Sequence, residues 1–329
     1  MTPQKYFDDF LDAINLKLDD NERTLIEDKH HALREKLREK LSLKDDFLTG
    51  SYKRHTIIKP KDSNEKFDVD ILIAFDKEDY SETELADLRK IVIGNLHEIN
   101  AENPELGITK INEDQRRSIG VEFGQNFQID IVPAVEIEKD LLYKIFDRRT
   151  LEAVQSNPKL HAELLTKANE DTEGLLVPII KILKAWKREK CDYVKSFHIE
   201  LMAVKIFTGT TIESIPKGLL TFFESASDYF SKACLNDPAN NEILIDEYLD
   251  KDGTREEICS LVDTEKAVAK NAVGAEKDGN HDQAIEYWSK VVGKNCSKNN
   301  IASSVAPAVA TIGTASRSFT PQSPYANEG

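Results

Sequence analysis

No run of apolar residues in this 329-residue chain is long enough to cross a bilayer. The most apolar stretch, 174–186, is interrupted by Lys181 and Lys184 and falls well short of the roughly 20 residues a spanning helix needs. The first 20 residues lack the basic start, apolar stretch and small-residue cleavage site that together mark a secretory signal. A soluble, cytoplasmic protein is expected, with no membrane partner. Cysteine is scarce: Cys191, Cys234, Cys259 and Cys296 are widely spaced and form no CxxC pair, which argues against a zinc site and against a disulfide framework. Positive charge is also in deficit, with 44 Lys and Arg against 59 Asp and Glu and a formal charge of −15. Broad binding to long nucleic acid depends on neutralising phosphates and is not expected here. Small nucleotides stay open, because Lys53, Arg54, Lys59, Lys61, Lys181, Lys184, Lys187, Arg188 and Lys195 could gather in one cleft.

What is present divides the chain in two. Apolar residues recur at helical spacing between charged ones through 2–41, predicting two amphipathic helices. A short apolar piece, Phe47-Leu48, runs into Gly50-Ser51, and 67–75 reads as a strand from its β-branched and aromatic content. Residues 83–100 look helical, and 118–123 with 127–132 flank Gly124-Gln125-Asn126 as a β-hairpin. Beyond about Leu141 strand patterns disappear, and helical periodicity is read through 151–169, 175–190, 197–208, 219–233 and 257–292. The expected layout is a catalytic core with N-terminal helices over 1–140 and a helical domain over 141–296. The segment 297–329, rich in Ser, Ala, Thr, Pro and Asn, is expected to be a disordered tail.

The chemistry concentrates on three carboxylates. Asp68 and Asp70 are two apart on a predicted strand, so both leave one face while Val69, Ile71 and Ile73 occupy the other. Like charges beside an apolar strand are costly unless a cation neutralises them, and Mg²⁺ prefers carboxylate oxygens together with substrate phosphates. An isolated Asp-x-Asp pair fits solvated carboxylates equally well. In the hairpin, Phe127, Ile129 and Ile131 face one way, and Gln128 and Asp130 the other, so Asp130 supplies a third acid. An edge-strand charge is its alternative reading. Gly50-Ser51 stands at a predicted strand-to-helix junction, where glycine permits close backbone approach and the following amides can hold a phosphate. Taken alone, Gly-Ser is an ordinary turn pair.

Leu48-Thr49-Gly50-Ser51-Tyr52, then Phe67-Asp68-Val69-Asp70-Ile71 and Ile129-Asp130-Ile131-Val132-Pro133, resemble the polymerase-β-like nucleotidyltransferases. Within them, the chain resembles the bacterial cGAS/DncV-like nucleotidyltransferases, relatives of oligoadenylate synthase. Ile182-Leu183-Lys184-Ala185-Trp186 is similar to the family's helix carrying a nucleotide-contacting lysine, and Lys195-Ser196-Phe197-His198-Ile199-Glu200 to its second phosphate-contacting segment. Asp237-Pro238-Ala239-Asn240-Asn241 and the closing Tyr287-Trp288-Ser289-Lys290-Val291-Val292-Gly293 extend the likeness over about 50–293. From the residues alone, Lys184 also reads as a snorkelling lysine at a core rim, Ser196 as a helix N-cap, and Trp186, Trp288 and His198 as structural.

The resemblance implies an α+β fold: a mixed sheet flanked by helices, a C-terminal helical lobe, and an active site in the cleft between them. It implies two Mg²⁺ ions, with Mn²⁺ able to replace them, on Asp68, Asp70 and Asp130; Gly50, Ser51, Lys184 and Ser196 would hold the nucleotide. Nucleoside triphosphates, ATP among them, would be joined into a cyclic di- or trinucleotide with release of pyrophosphate, in bacterial anti-phage (CBASS) signalling. Transfer to a non-nucleotide acceptor and a catalytically silent nucleotide sensor are the alternatives. The ending Ala326-Asn327-Glu328-Gly329 fits two readings: ubiquitin-like conjugation machinery acting on Gly329, as on some family members, or an ordinary frayed terminus.

Overall fold

The computed structural model describes residues 1–62, 65–77, 85–124, 126–139, 141–251 and 253–293. The tail, Cys296 and Gly329 lie outside them, as does the expectation of conjugation. A mixed sheet forms the first half. Its strands are β1 (Asp45–Thr49), β2 (Phe67–Asp76), β3 (Lys110–Asn112), β4 (Ile119–Glu122), β5 (Phe127–Glu138), β6 (Leu142–Asp147) and β7 (Glu152–Ser156). They run in the order β1-β2-β5-β4-β3, with β6 and β7 continuing from the far part of β5. The β2–β5 pair is parallel, and the other ladders of this sheet are antiparallel.

Alternation along β2 and β5 decides which face does what. Val69, Ile71, Ile73, Phe75, Ile129 and Ile131 are buried in one core under helices α2 (Asp20–Lys40) and α4 (Leu85–Glu102). Leu72, Ala74 and Ala134 point the other way, into a smaller apolar cluster with Tyr143 and Ile145. On that second face the apolar run stops at Asp70 and Asp130, which are register partners. α2 begins with a reciprocal cap in which Glu22 N donates to Asp19 Oδ1 at 2.8 Å and Asp19 N to Glu22 Oε2 at 2.9 Å.

The second core is helical, built from α1 (Pro3–Ile14), α5 (Pro158–Asp171), α6 (Leu176–Lys190), α7 (Ser196–Phe207), α8 (Ile215–Phe230), α9 (Thr254–Lys277) and α10 (His281–Val292). A small hairpin, β8 (Asn236–Asp237) and β9 (Asn240–Leu244), is formed by the segment around Pro238. Trp186 and Trp288 are fully buried, in keeping with their reading as core.

Two expectations are corrected. Strand structure does not stop near Leu141: β6 and β7 carry the sheet to Ser156, and the helix expected over 151–169 begins only at Pro158, capped by Asn157. The weak intrinsic strand preference of Glu152–Ser156 is overridden by its ladder with β6. And α1, grouped with the catalytic core over 1–140, packs into the helical core, where Phe7 meets Trp288 edge-on with centroids 5.2 Å apart. A bulky aromatic face finds its complement in that core. The helical periodicity read through 257–292 is carried by two helices, α9 and α10, separated at Gly279, with Asn280 capping α10.

Candidate active site

The site is built where β1 turns into the one-turn helix α3 (Gly50–Lys53) and lies across the start of β2. Thr49 pairs with Asp70 in the ladder, and Gly50 follows at φ +68°, a left-handed conformation that favours glycine. A Cβ on Gly50 would overlap Asp70 Oδ2. The turn therefore sits directly on the carboxylate, and Ser51 is delivered beside it. Ser51, Asp68 and Lys184 line one cleft with Lys59, Lys66 and Arg188.

Asp130 lies next to Asp70 in the parallel ladder and is 5 % exposed. Three side chains hold it: Gln115 Nε2 and Gln128 Nε2 donate to Oδ1 at 3.1 and 3.0 Å, and Ser118 Oγ donates to Oδ2 at 3.1 Å. Gly120, its register partner on β4, leaves room for this: a Cβ there would come within 3.0 Å of Gln115 Nε2. Arg89, buried on α4, fixes the approach of that segment by donating to the carbonyls of Glu113 and Gln115.

Three acids packed this closely resist ionising together. Burial first, and then the charge of Asp130, push Asp68 up to about 7 against the opposing Gln128 hydrogen bond. Asp70 is raised well above the ordinary carboxylate range by burial and by both other acids, with Arg54 and Lys184 opposing. Burial raises Asp130 despite its three hydrogen bonds. A buried set of oxygen donors carrying excess negative charge fits a hard divalent cation such as Mg²⁺. No group of three acids, histidines or cysteines among the described residues already converges on a single metal-binding point. Asp130 is instead drawn to its amide and hydroxyl donors.

The cations sort differently from the sequence expectation. Lys184 is buried and donates to Glu200 Oε1 at 3.0 Å. The other oxygen of Glu200 accepts from Arg54 Nε at 2.8 Å, and Thr56 Oγ1 donates to Oε1 at 2.8 Å. Lys181 reaches Asn15 and Lys187 reaches Asp192, so neither serves the cleft. Ser196 is the first residue of α7, whose N-cap is Lys195, and it is not among the residues lining the Ser51 cleft. The N-cap reading of Ser196 is thus shifted by one position, because Lys195 has the extended backbone. His198 is buried against Tyr248, 2.9 Å from its hydroxyl, in keeping with a structural role.

Glu200, Gln115, Ser118 and Gln128 went unnoticed as site residues. Only Gln128 carried a usable signal, since it alternates in step with Asp130. Glu200 joins the α3 turn to the helical core, and burial alone would raise its pKa. Lys184 and Arg54, with hydrogen bonds from Arg54 and Thr56, outweigh that and hold it at about 2. A depressed carboxylate stabilises the fold above its unfolded value and loses that contribution as pH falls. Wild type should therefore lose stability from about pH 4.5 toward pH 2 through this group, and Glu200→Gln should lack that component. At neutral pH the substitution strands two buried cations and should cost about 3–5 kcal/mol in urea unfolding. A change under 1 kcal/mol at neutral pH would contradict the strut role.

The profile described as Second Messenger Oligonucleotide or Dinucleotide Synthetase domain matches residues 1–169. A cyclic AMP-AMP-AMP synthase of an Acinetobacter species is 27% identical over 261 residues, covering 75% of this chain and 71% of that protein. The E. coli MS115-1 CdnC, solved with ATP and in a complex with HORMA-deltaN, superposes at a TM-score of 0.69 with 18% identity, over 89% of this chain and 98% of that one. DncV of Vibrio cholerae, a cyclic AMP-GMP synthase solved with the linear intermediate 5′ pppA(3′,5′)pG, gives 0.60 and 14% over 87% of this chain and 74% of that one. These structures share the fold. No helix among the described residues is long and apolar enough to cross a membrane.

Proposed function

The chain belongs to the Second Messenger Oligonucleotide or Dinucleotide Synthetase family, and we propose that it joins nucleoside triphosphates into a cyclic di- or trinucleotide in anti-phage signalling. The observation carrying this reading is the packing of Gly50 onto Asp70, with Asp130 beside it in the ladder. A turn suited to hold a phosphate and a pair of acids occupy one place. The relatives bearing cyclic-nucleotide names support ATP as one substrate.

Asp68, Asp70 and Asp130 would hold divalent metal, with two Mg²⁺ the reading their number favours. Bound there, Mg²⁺ would offset triphosphate charge and favour the ionised acceptor oxygen. Ser51 Oγ and the α3 amides would donate to donor phosphates from one wall, and Lys184 would add positive charge from the other. Arg188, one helical turn beyond Lys184, donates Nη1 to Lys59 O at 3.0 Å and extends that wall. Asp130, beside Asp70 in the ladder, would be the acid that takes the proton from the acceptor ribose hydroxyl. The ribose oxygen bonds to the α-phosphorus, the bond to the bridging oxygen breaks, and pyrophosphate departs. Repetition on the linear product would close the ring with the same acids. Ser196 would act from the α7 terminus, and its part is the one the cleft lining supports least.

The test is direct. Purified protein incubated with the four labelled nucleoside triphosphates and Mg²⁺ or Mn²⁺ should yield a phosphatase-resistant product, and omitting one nucleotide at a time should identify its bases. Only phosphatase-sensitive products, or none with either metal, would turn attention to a non-nucleotide acceptor.

A further inference from the structure

Two arginine-bearing segments meet beside Asp130. In the first, Gln115 and Ser118 bond to Asp130 while the residues between them reach Asp147: Arg116 Nε donates to Oδ1 at 2.9 Å and Arg117 Nε to Oδ2 at 3.0 Å. Asp147 ends β6 with its side chain fully buried, and it accepts Arg149 N at 3.0 Å. Burial would raise it, but the two arginines hold it at about 2. Arg148 closes the cluster, with its N donating to Arg116 O at 2.9 Å and its Nη2 lying 2.8 Å from Asp114 Oδ1.

The position matters as much as the charge. Ile145 pairs with Ala134, four residues along β5 from Asp130, so Asp130, Ala134, Ile145 and Asp147 share one face of the sheet. β6 lies on the side of β5 away from β2. The arginines are thus beyond Asp130 from Ser51 and the donor wall. Three guanidinium groups, those of Arg116, Arg117 and Arg148, gather here on the two carboxylates of Asp147 and Asp114, in a chain that is otherwise strongly acidic. The Arg117 and Arg148 side chains are 41% and 47% exposed.

Resting on the proposed synthase reading, we propose that this cluster is a polyphosphate subsite that takes the 5′-triphosphate of the acceptor. That strand end is a nucleoside triphosphate in the first bond and a linear intermediate in any extension. Asp147 acts as a positioning residue that aims Arg116 and Arg117, and guanidinium geometry suits phosphate oxygens. The same segment that orients Asp130 would then anchor the molecule whose hydroxyl Asp130 faces.

A labelled 2′,3′-dideoxynucleoside triphosphate can serve only as donor, which separates the two roles. It would be given to wild type and to Arg117→Ala/Arg148→Ala, with the acceptor supplied as nucleoside triphosphate or linear dinucleotide 5′-triphosphate, and each also as its 5′-hydroxyl counterpart. The variant should show about a tenfold higher KM for the triphosphate acceptors, a loss of charge-assisted bonds discounted for solvent. Its KM for the donor and for 5′-hydroxyl acceptors should be unchanged. An effect on only one triphosphate acceptor assigns the subsite to that step, and Arg117→Lys/Arg148→Lys should recover part of the loss. Equal losses with both acceptor forms, or no loss with either, overturn the subsite. Should wild type form no product at all, the synthase reading fails, and titration with inorganic tripolyphosphate still decides the subsite: the alanine variant must lose one binding event, and identical isotherms refute it.

Discussion

Asp70→Asn should leave no detectable product while the protein, in metal-free buffer, melts at least as high as wild type. The side chain lies under Gly50 and beside Asp130, where burial and two neighbouring acids oppose its ionisation. Asparagine keeps the shape and removes the repulsion, so the empty fold gains. Catalysis loses a ligand for divalent metal and its charge stabilisation, several kcal/mol or about a thousandfold or more in rate. Thermal melts with EDTA and with Mg²⁺ separate the two effects. Wild type should be stabilised by the metal through mass action and the variant should not. A variant that turns over normally would remove Asp70 from the chemistry, and one that melts several degrees lower in EDTA would make it a structural residue.

The acidic face was legible because period-two alternation is a strong signal when both faces are filled. Asp68 and Asp70 interrupt an apolar strand, and Asp130 interrupts another, so three charges on one face stood out against Val69, Ile71, Ile129 and Ile131. The glycine turn was legible from its place ahead of them. Sequence could not show that Gly50 touches Asp70, because that contact depends on register: Thr49 opposite Asp70 puts the next residue over the carboxylate.

Long-range partners were harder to see. Glu200 is 146 residues from Arg54, and its own surroundings on α7 read as an ordinary apolar helix start. Gln115 sits in a short irregular segment with no period to read, Ser118 was read as the first residue of the hairpin strand, and only the bend between β3 and β4 brings both to Asp130. β7 was missed for a related reason. A strand of Glu, Ala, Val, Gln and Ser has little preference of its own and exists because β6 offers it a ladder. Lys184, by contrast, was singled out as a phosphate contact and is found buried on Glu200, so any charge it lends the cleft is shared with that carboxylate.

Gly50→Ala should reduce turnover by about a hundredfold or more, although it adds one methyl and removes no functional group, because small misplacements at a reacting centre cost this much. At φ +68° alanine is strained by about 1–2 kcal/mol. The methyl would also come 2.5 Å from Asp70 Cγ and 2.9 Å from Asp70 Cβ, so something must move. The backbone is poorly placed to do so, since Thr49 and Asp70 are ladder partners and Thr56 N donates to Ser51 O at 3.0 Å. The carboxylate is the softer part and should rotate away from Asp68. Activity would then show a raised Mg²⁺ requirement, whereas Ser51→Ala, which keeps the backbone and drops one phosphate contact, should raise the KM for nucleotide and leave the metal requirement alone. Metal titrations of both variants distinguish a displaced acid from a lost phosphate donor. A Gly50→Ala enzyme with normal turnover and a normal Mg²⁺ requirement would mean that the close packing of turn on carboxylate is incidental to the chemistry.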